Sequence, residues 1–256
     1  MKQINIKRII LIAVAVLVVA AAVAVIAGIG SARAELTERS DVYTARMAQD
    51  DIGISLIENG NVVSSRNYNT SSQDGSWSTT GDSTLLSHLP EKIVMNQAYP
   101  EEIQVANSGT IDEYVRITIR RYWLTPAGEE VPVEVKQTAL KPELIEIHLV
   151  EGTGWLHDTN ADTDERMVFY YSSILRSGES TDLLTDTITI NNEVAQYLTQ
   201  TVTGNKIVTT YDYDGYQFCL EATADAVQDH NAQDAARSAW GRPVTIDEAA
   251  GTLTLN

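Results

Sequence analysis

The stretch that decides the fold is "EYVRITIRRYW", residues 113–123. Val115, Ile117 and Ile119 recur at every second position, with Arg116, Thr118 and Arg120 between them. Side chains of a β-strand point alternately to its two faces, so this is a strand with one apolar and one polar face. The same period extends outward along the chain. "DIGISLIEN" puts Ile52, Ile54 and Leu56 on one face, and "LIEIHLV" sets Ile145, Ile147 and Leu149 against Glu146 and His148. "MVFYYSSIL", "TDTITI", "KIVTTYDY" and "YQFCLEA" continue the series, with the turn signals "NSG", "PAGEE", "EGTG", "RSGES" and "DYDG" between strands.

Many short strands, each with a wet and a dry face, predict an all-β chain whose antiparallel sheets pack as a sandwich of jelly-roll type. The polar segment 64–84 reads as an exposed loop. Near the end, "HNAQDAARSAWG" predicts one short helix. Asn231 caps it, Asp234 favours its first turn, Ala232, Ala235, Ala236, Ala239 and Trp240 form its apolar stripe, and Gly241 then Pro243 stop it. "TLTLN" reads as a last short strand.

Ahead of the strands, residues 9–30 are 22 positions without a charge or a strongly polar side chain. As a helix at about 1.5 Å per residue they cross the roughly 30 Å apolar core of a bilayer. The small residues Ala32 and Ala34 before Glu35 form an A-x-A cleavage pattern, so the segment also reads as a signal peptide. Lys2, Lys7 and Arg8 precede the apolar run and orient it with the following chain outside. The expected organisation is therefore a signal peptide or signal anchor over 1–34, a stalk or linker over 35–50, and a β-sandwich ectodomain over 51–256. The expected location is the cell membrane with an extracellular domain, or outside the cell after cleavage.

Four of the 18 Lys and Arg residues, and none of the 35 Asp and Glu, precede Glu35. The exported part thus carries 14 basic against 35 acidic residues, a formal charge of −21. Such a surface repels nucleic acid, which is excluded as a partner. Cys219 is the only cysteine, so the chain forms no disulfide within itself, and the 222 residues from Glu35 onward are enough to bury a core without one.

The order of several pieces carries a resemblance. These are the apolar leader, "YTARMAQDDIGISL", "LPEKIVMNQAYPEEIQVANSGTIDEYVRITI", "RMVFYYSSILRSGEST" and "YQFCLEATADAVQ". In this order the chain resembles the TasA/camelysin-like bacterial surface and biofilm-matrix proteins, which leave the cell by a SipW-type route. The likeness spans most of residues 43–228. Its markers include an Asn-x-Gly turn at Asn107-Ser108-Gly109 and a hairpin turning at Gly178-Glu179. It implies a jelly-roll sandwich exported by a Gram-positive bacterium, some relatives of which build matrix fibres. It also implies a route of assembly. The strand carrying Ile52, Ile54 and Leu56, within a freed segment from Glu35 to about Ile57, would pair with the edge of a neighbour.

Catalytic chemistry finds few residues. His88, His148, His157 and His230 form no H-E-x-x-H, no G-x-S-x-G or S-x-x-K is present, and Cys219 lacks a protease context. The most suggestive stretch is "HDTNADTDER", where Asp158, Asn160, Asp162 and Asp164 alternate oxygen donors as a calcium loop does. Thr163 stands where such a loop needs glycine, and Phe169 where it needs a bidentate glutamate, so the stretch reads first as a solvated acidic loop. No other cofactor is expected. Arg116 and Arg120 are placed to pair with acids across the sheet, and Arg121 lies beside Trp123 within cation–π reach. Trp123 and Trp240 fall on core faces, whereas Trp77 falls in the polar segment.

The sequence thus points to an exported, non-enzymatic surface or matrix protein acting through protein–protein assembly or adhesion. Its partners are other proteins or copies of itself, and the membrane through the N-terminal helix. Two other classes compete with this reading, a camelysin-type surface hydrolase and a calcium-dependent ligand-binding module.

Overall fold

The computed structural model describes residues 51–69, 76–81, 85–90, 92–125, 134–203 and 206–256. The expected apolar helix, the cleavage residues Ala32, Ala34 and Glu35, and the stalk 35–50 lie outside the described residues. Within them, no helix is long and apolar enough to cross a membrane.

The alternation seen in the sequence resolves into two antiparallel sheets. The first runs β3 (Ser76–Thr80), β2 (Asn61–Asn69), β1 (Gly53–Glu58), β4 (Tyr99–Asn107), β10 (Thr185–Ile190), β7 (Ile145–Leu149). The second runs β13 (Gln217–Gln228), β5 (Glu113–Thr125), β9 (Arg166–Tyr171), β8 (Trp155–His157), with β6 (Val135–Lys136) paired to the end of β5. Two further ribbons are β11 (Leu198–Thr203) with β12 (Lys206–Tyr211), and β14 (Val244–Asp247) with β15 (Thr252–Leu255). The one α-helix among the described residues is α1, Ala232–Trp240.

The strand that opened the reading is the spine of the second sheet. β5 pairs with β13 in unbroken register from Glu113↔Gln228 to Leu124↔Gln217. Its inward side chains Val115, Ile117, Ile119 and Trp123 join Leu220 and Phe169 of the same sheet in one apolar core. Leu56, Ile103, Val105 and Ile188 of the first sheet close that core from the other side. Removing one such aliphatic side chain down to alanine costs about 2–5 kcal/mol.

The outer face of the second sheet is covered as well. Tyr114, Val168, Tyr170 and Val227 pack there against Ala232, Ala236 and Trp240 of α1 and against Val244 and Leu253 of the last ribbon. This explains why Tyr114 and Thr118, on the side expected to be polar, are buried. Arg116 follows the expected cross-sheet pairing, donating to Asp225 Oδ2 at 2.7 and 3.1 Å while its guanidinium lies over the Trp240 ring. Arg121 donates to the Ile145 carbonyl at 2.8 Å instead of stacking on Trp123. That bond reaches from the second sheet to the first and offsets part of the cost of holding the guanidinium half-buried.

Three further expectations are corrected. Segment 64–84 is not all loop, because it holds the end of β2 and all of β3. Every side chain of β3 is exposed, so alternation leaves no trace there, and the Tyr68–Trp77 and Arg66–Trp77 ring contacts across the hairpin supply what packing it has. Asn231 does not cap α1 with its side chain. It takes a left-handed conformation, and Glu248 Oε1 accepts from the Ala232 N–H instead. Gly241 ends the helix as expected, with φ +65° and its N–H on the Arg237 carbonyl. Ala239, counted in the stripe, faces solvent.

The two turn motifs noted in the sequence meet at Asn107, which is buried. Its side-chain amide donates to the carbonyls of Ile111 and Leu175 at 2.7 and 3.0 Å, and its Oδ1 accepts from the Gly109 N–H at 2.9 Å. Its main chain bonds to the other turn, Gly178 N–H to the Asn107 carbonyl and Asn107 N–H to the Glu179 carbonyl. Gly109 must be glycine, since a Cβ there would stand 2.4 Å from the Asp51 carbonyl oxygen and 2.5 Å from the Gly53 nitrogen. Both contacts are backbone and cannot move aside. Gly109→Ala and Asn107→Ala are therefore each expected to lower stability by about 2–4 kcal/mol, read as a drop in thermal midpoint.

Candidate functional site

The inward faces of three strands carry glutamates. Leu56 and Glu58 of β1 face the same way, opposite Val105 and Ile103 of β4. On β4, Tyr99, Glu101, Ile103, Val105 and Asn107 all point inward. Glu113 shares the face of Val115, Ile117 and Ile119 on β5. Glu101 and Glu113 are wholly buried and Glu58 is 5% exposed. An unpaired carboxylate in an apolar interior is costly, so these positions are held for a reason other than packing.

Glu58 and Glu101 sit together beneath a turn over residues 85–90. That turn brings His88 over them, with Nδ1 3.8 Å from Glu58 Oε1 and Nε2 3.7 Å from Glu101 Oε2. His88 Nε2 also lies 2.7 Å from the Pro100 carbonyl oxygen, which makes it the protonated nitrogen and leaves the lone pair on Nδ1. The Asn59 side-chain amide rests 3.3 Å from Nδ1 and fixes the ring from its edge. Leu86 takes φ +67°, a strained value for a bulky residue, and in doing so aims its N–H at Glu58 Oε1 from 2.6 Å. Both oxygens of Glu101 are buried without a hydrogen-bond donor among the described residues. Burial, then the neighbouring Glu58 charge, push the Glu101 carboxyl up to about 8.

Glu113 is a separate case. It lies behind the Asn107 turn, its oxygens have no donor of ordinary geometry, and burial raises it to about 8 against a pull the other way from the Gly53 backbone.

Beside the histidine turn opens a cleft of about 850 Å³. Leu86 and Leu89 of the turn form one wall, and Trp123, Tyr211, Tyr213 and Phe218 line it elsewhere. Trp123 is fixed by its indole N–H on the Lys141 carbonyl at 2.9 Å and by an edge-on contact with Tyr213.

From the mouth of this cleft the β11–β12 ribbon extends. Its register places Leu198, Val202, Ile207 and Tyr211 on one face, together with Gln200 and Thr209. All four apolar side chains are exposed, Val202 and Ile207 by 68% and 64%. Tyr211 belongs both to this face and to the cleft.

The residues singled out in the sequence fall elsewhere. Asp158 is buried and makes a two-pronged ion pair with Arg242, at 2.7 and 3.1 Å. Asp162 lies 2.8 Å from His157 Nε2, while Asn160 and Asp164 face solvent. Asp158 is thus held by Arg242 and Asp162 lies against His157, and among the described residues the three carboxylates of this stretch do not converge on one point. Ile54 and Leu56 lie on β1 in the middle of the first sheet, bonded to β2 on one side and β4 on the other, with Leu56 in the core. Ile52 precedes that strand, half-buried. His148 is exposed and pairs with Asp186 at 2.7 Å. Cys219 is half-buried opposite Tyr122, and burial raises its thiol.

Sequence reasoning passed over Glu58, His88, Glu101 and Glu113. A signal was there for the glutamates, since each occupies a position where alternation calls for an apolar residue. His88 carried none, because its turn has no periodic pattern. Comparison with known proteins adds nothing further: no family model, no curated protein and no solved structure matches this chain.

The buried Glu113 makes a pH prediction whose sign follows from its raised value. Below about pH 4.5 the carboxyl is neutral in folded and unfolded chains alike, and burial costs no charge. Between there and about pH 8 folding must retain a proton that the unfolded chain gives up, so stability falls as pH rises and levels off above. Glu113→Gln should therefore unfold at higher denaturant than wild type at pH 7.5, by about 1–3 kcal/mol, with the gap closing toward pH 4. Equilibrium denaturation at several pH values measures it.

Proposed function

We propose that the chain is an exported surface or matrix subunit that works by assembling with copies of itself. In this reading residues 9–30 hold it at the membrane or are removed after Ala34, and the sandwich is of jelly-roll type. The order of motifs shared with TasA/camelysin-like proteins and the apolar leader support the export and the family setting.

The observation that carries assembly is the uncovered face of the β11–β12 ribbon. A lone two-stranded ribbon is marginal in water, and an exposed row of Leu198, Val202, Ile207 and Tyr211 makes it more costly still. A partner that covers the row removes both costs. Charge selects the partner's point of approach. The chain's formal charge is −17, so two copies repel over most of their surface. The segment "LTQTVTGNKIVTTY" holds one lysine and no acid, and two copies can meet there without that penalty. Its aromatic end runs into the cleft, which extends the apolar contact.

The reading departs from strand donation by residues 52–56. A strand already bonded on both sides leaves its own sheet only at the cost of the core. Among the described residues β3 is the edge of the first sheet, bonded only to β2.

Sedimentation velocity of the exported protein tests the proposal. Wild type should form dimers or larger species, and Val202→Ser with Ile207→Ser should hold it monomeric while its thermal midpoint stays unchanged, because both side chains are exposed. Assembly of the double variant at wild-type concentrations would contradict it. A monomeric wild type that instead captures a different surface protein through the same face would replace self-assembly with adhesion.

A further inference from the structure

We infer that Glu58, Glu101 and His88 form a binding site for a transition-metal dication of the zinc class. One ligand atom from each of the three lies within 4.8 Å of the other two. The donor set is two carboxylates and one imidazole, a combination zinc accepts with a fourth position left for water or a further ligand.

Four features distinguish this from an acidic cluster that merely happens to be close. The first is burial: Glu101 is wholly enclosed, and neither of its oxygens has a donor among the described residues. A proton shared with Glu58 satisfies one of them and leaves the other bare. A dication bound between the two carboxylates neutralises both and gives the bare oxygen a partner. The second is the histidine. Its Nε2–H is committed to the Pro100 carbonyl at 2.7 Å, the outer-shell bond that metal-ligating histidines use to fix ring and tautomer, so Nδ1 is the ligand nitrogen once an ion displaces the Asn59 amide that rests 3.3 Å from it. The third is spacing. Ligands 2.0–2.2 Å from a tetrahedral zinc stand roughly 3.3–3.6 Å apart; Nδ1 to Glu58 Oε1 is 3.8 Å, while the ring's approach to Glu101 Oε2 is through Nε2 at 3.7 Å, so the imidazole must turn slightly for Nδ1 to meet both carboxylates. The fourth is access. His88, with a side chain 32% exposed, sits over two buried carboxylates and forms the only wet wall of the three. An ion enters from that side, and the Leu86 N–H bond already holds Glu58 in place to receive it.

The preference for zinc over calcium or magnesium follows from the same set. Calcium wants six to eight oxygens, and magnesium keeps its waters, whereas an imidazole nitrogen and few ligands suit the borderline cations. Binding would clamp the 85–90 turn onto β1 and β4. Since Leu86 and Leu89 of that turn form a wall of the aromatic cleft, the ion also fixes the cleft's shape.

Titration calorimetry of the full-length protein in detergent with Zn²⁺, after treatment with a chelator, tests the site. One equivalent should bind at micromolar concentration or tighter, with calcium and magnesium failing to compete at a hundredfold excess. Co²⁺ in place of Zn²⁺ should give the visible absorption of a low-coordinate nitrogen–oxygen site. His88→Ala should weaken binding at least 30-fold and abolish that absorption. Glu101→Gln keeps the volume and removes the charge, so it should fold at least as stably as wild type and yet bind at least 30-fold more weakly. His148→Ala and His157→Ala, which remove the imidazoles of the two His–Asp pairs, should leave the affinity unchanged. Absence of zinc binding by wild type, or equal binding by His88→Ala and Glu101→Gln, would overturn the assignment. Loss on His148→Ala or His157→Ala would overturn it too, by placing the ion elsewhere.

Discussion

A side chain on the inner face of either sheet has no water to turn to, and the rest of the molecule follows from that constraint. The face that carries Val115, Ile117, Ile119 and Trp123 meets the face that carries Leu56, Ile103 and Val105, and between them the chain fixes its register. A slip of one residue along β5 would exchange Ile117 and Ile119 for Arg116, Thr118 and Arg120. The cost of burying those groups keeps the twelve-pair ladder of β5 with β13 in place. The Asn107 turn and the glycine contact behind it then lock the strand that feeds this ladder to the first sheet.

The same constraint gives meaning to the places that break it. A glutamate on an inner face is under pressure to find a proton, a cation or a donor, and Glu58, Glu101 and Glu113 each answer differently. Glu58 takes the Leu86 N–H, Glu101 is left with bare oxygens under an imidazole, and Glu113 has only a weak pull from the Gly53 backbone. The opposite violation is an apolar row that no described residue covers, as on the β11–β12 ribbon. Polar inside and apolar outside are the two departures, and each points outward from the fold toward an ion or a partner.

Much of this was legible in the sequence and some was not. The alternation of β1, β5, β7, β9, β10 and β13 could be read directly, as could the helix ending at Gly241. β3 could not, because an edge strand wet on both faces has no hydrophobic period. The ribbon's alternation was visible in "KIVTTYDY", but a period says which residues share a face and not whether anything lies against it. The acidic stretch around Asp158 read first as a solvated loop and second as a cation loop, because spacing alone does not reveal Arg242, which follows α1 more than eighty positions away and pairs with Asp158. The glutamates of the candidate site were visible as wrong-parity residues, yet only the fold brings Glu58 next to Glu101 and lays His88 across both.

The central claim is that the uncovered ribbon face is where copies of the chain meet. Hydrogen exchange followed by mass spectrometry, on the wild-type protein at concentrations below and above assembly, addresses it without altering a residue. A two-stranded ribbon free in water opens readily, so its amides should exchange quickly in the monomer. On assembly the amides of Leu198–Thr203 and Lys206–Tyr211 should slow by at least tenfold while those of β5 and β13 do not change. Slowing confined to the β3 edge, or to any surface that leaves the ribbon as fast as before, would contradict the account.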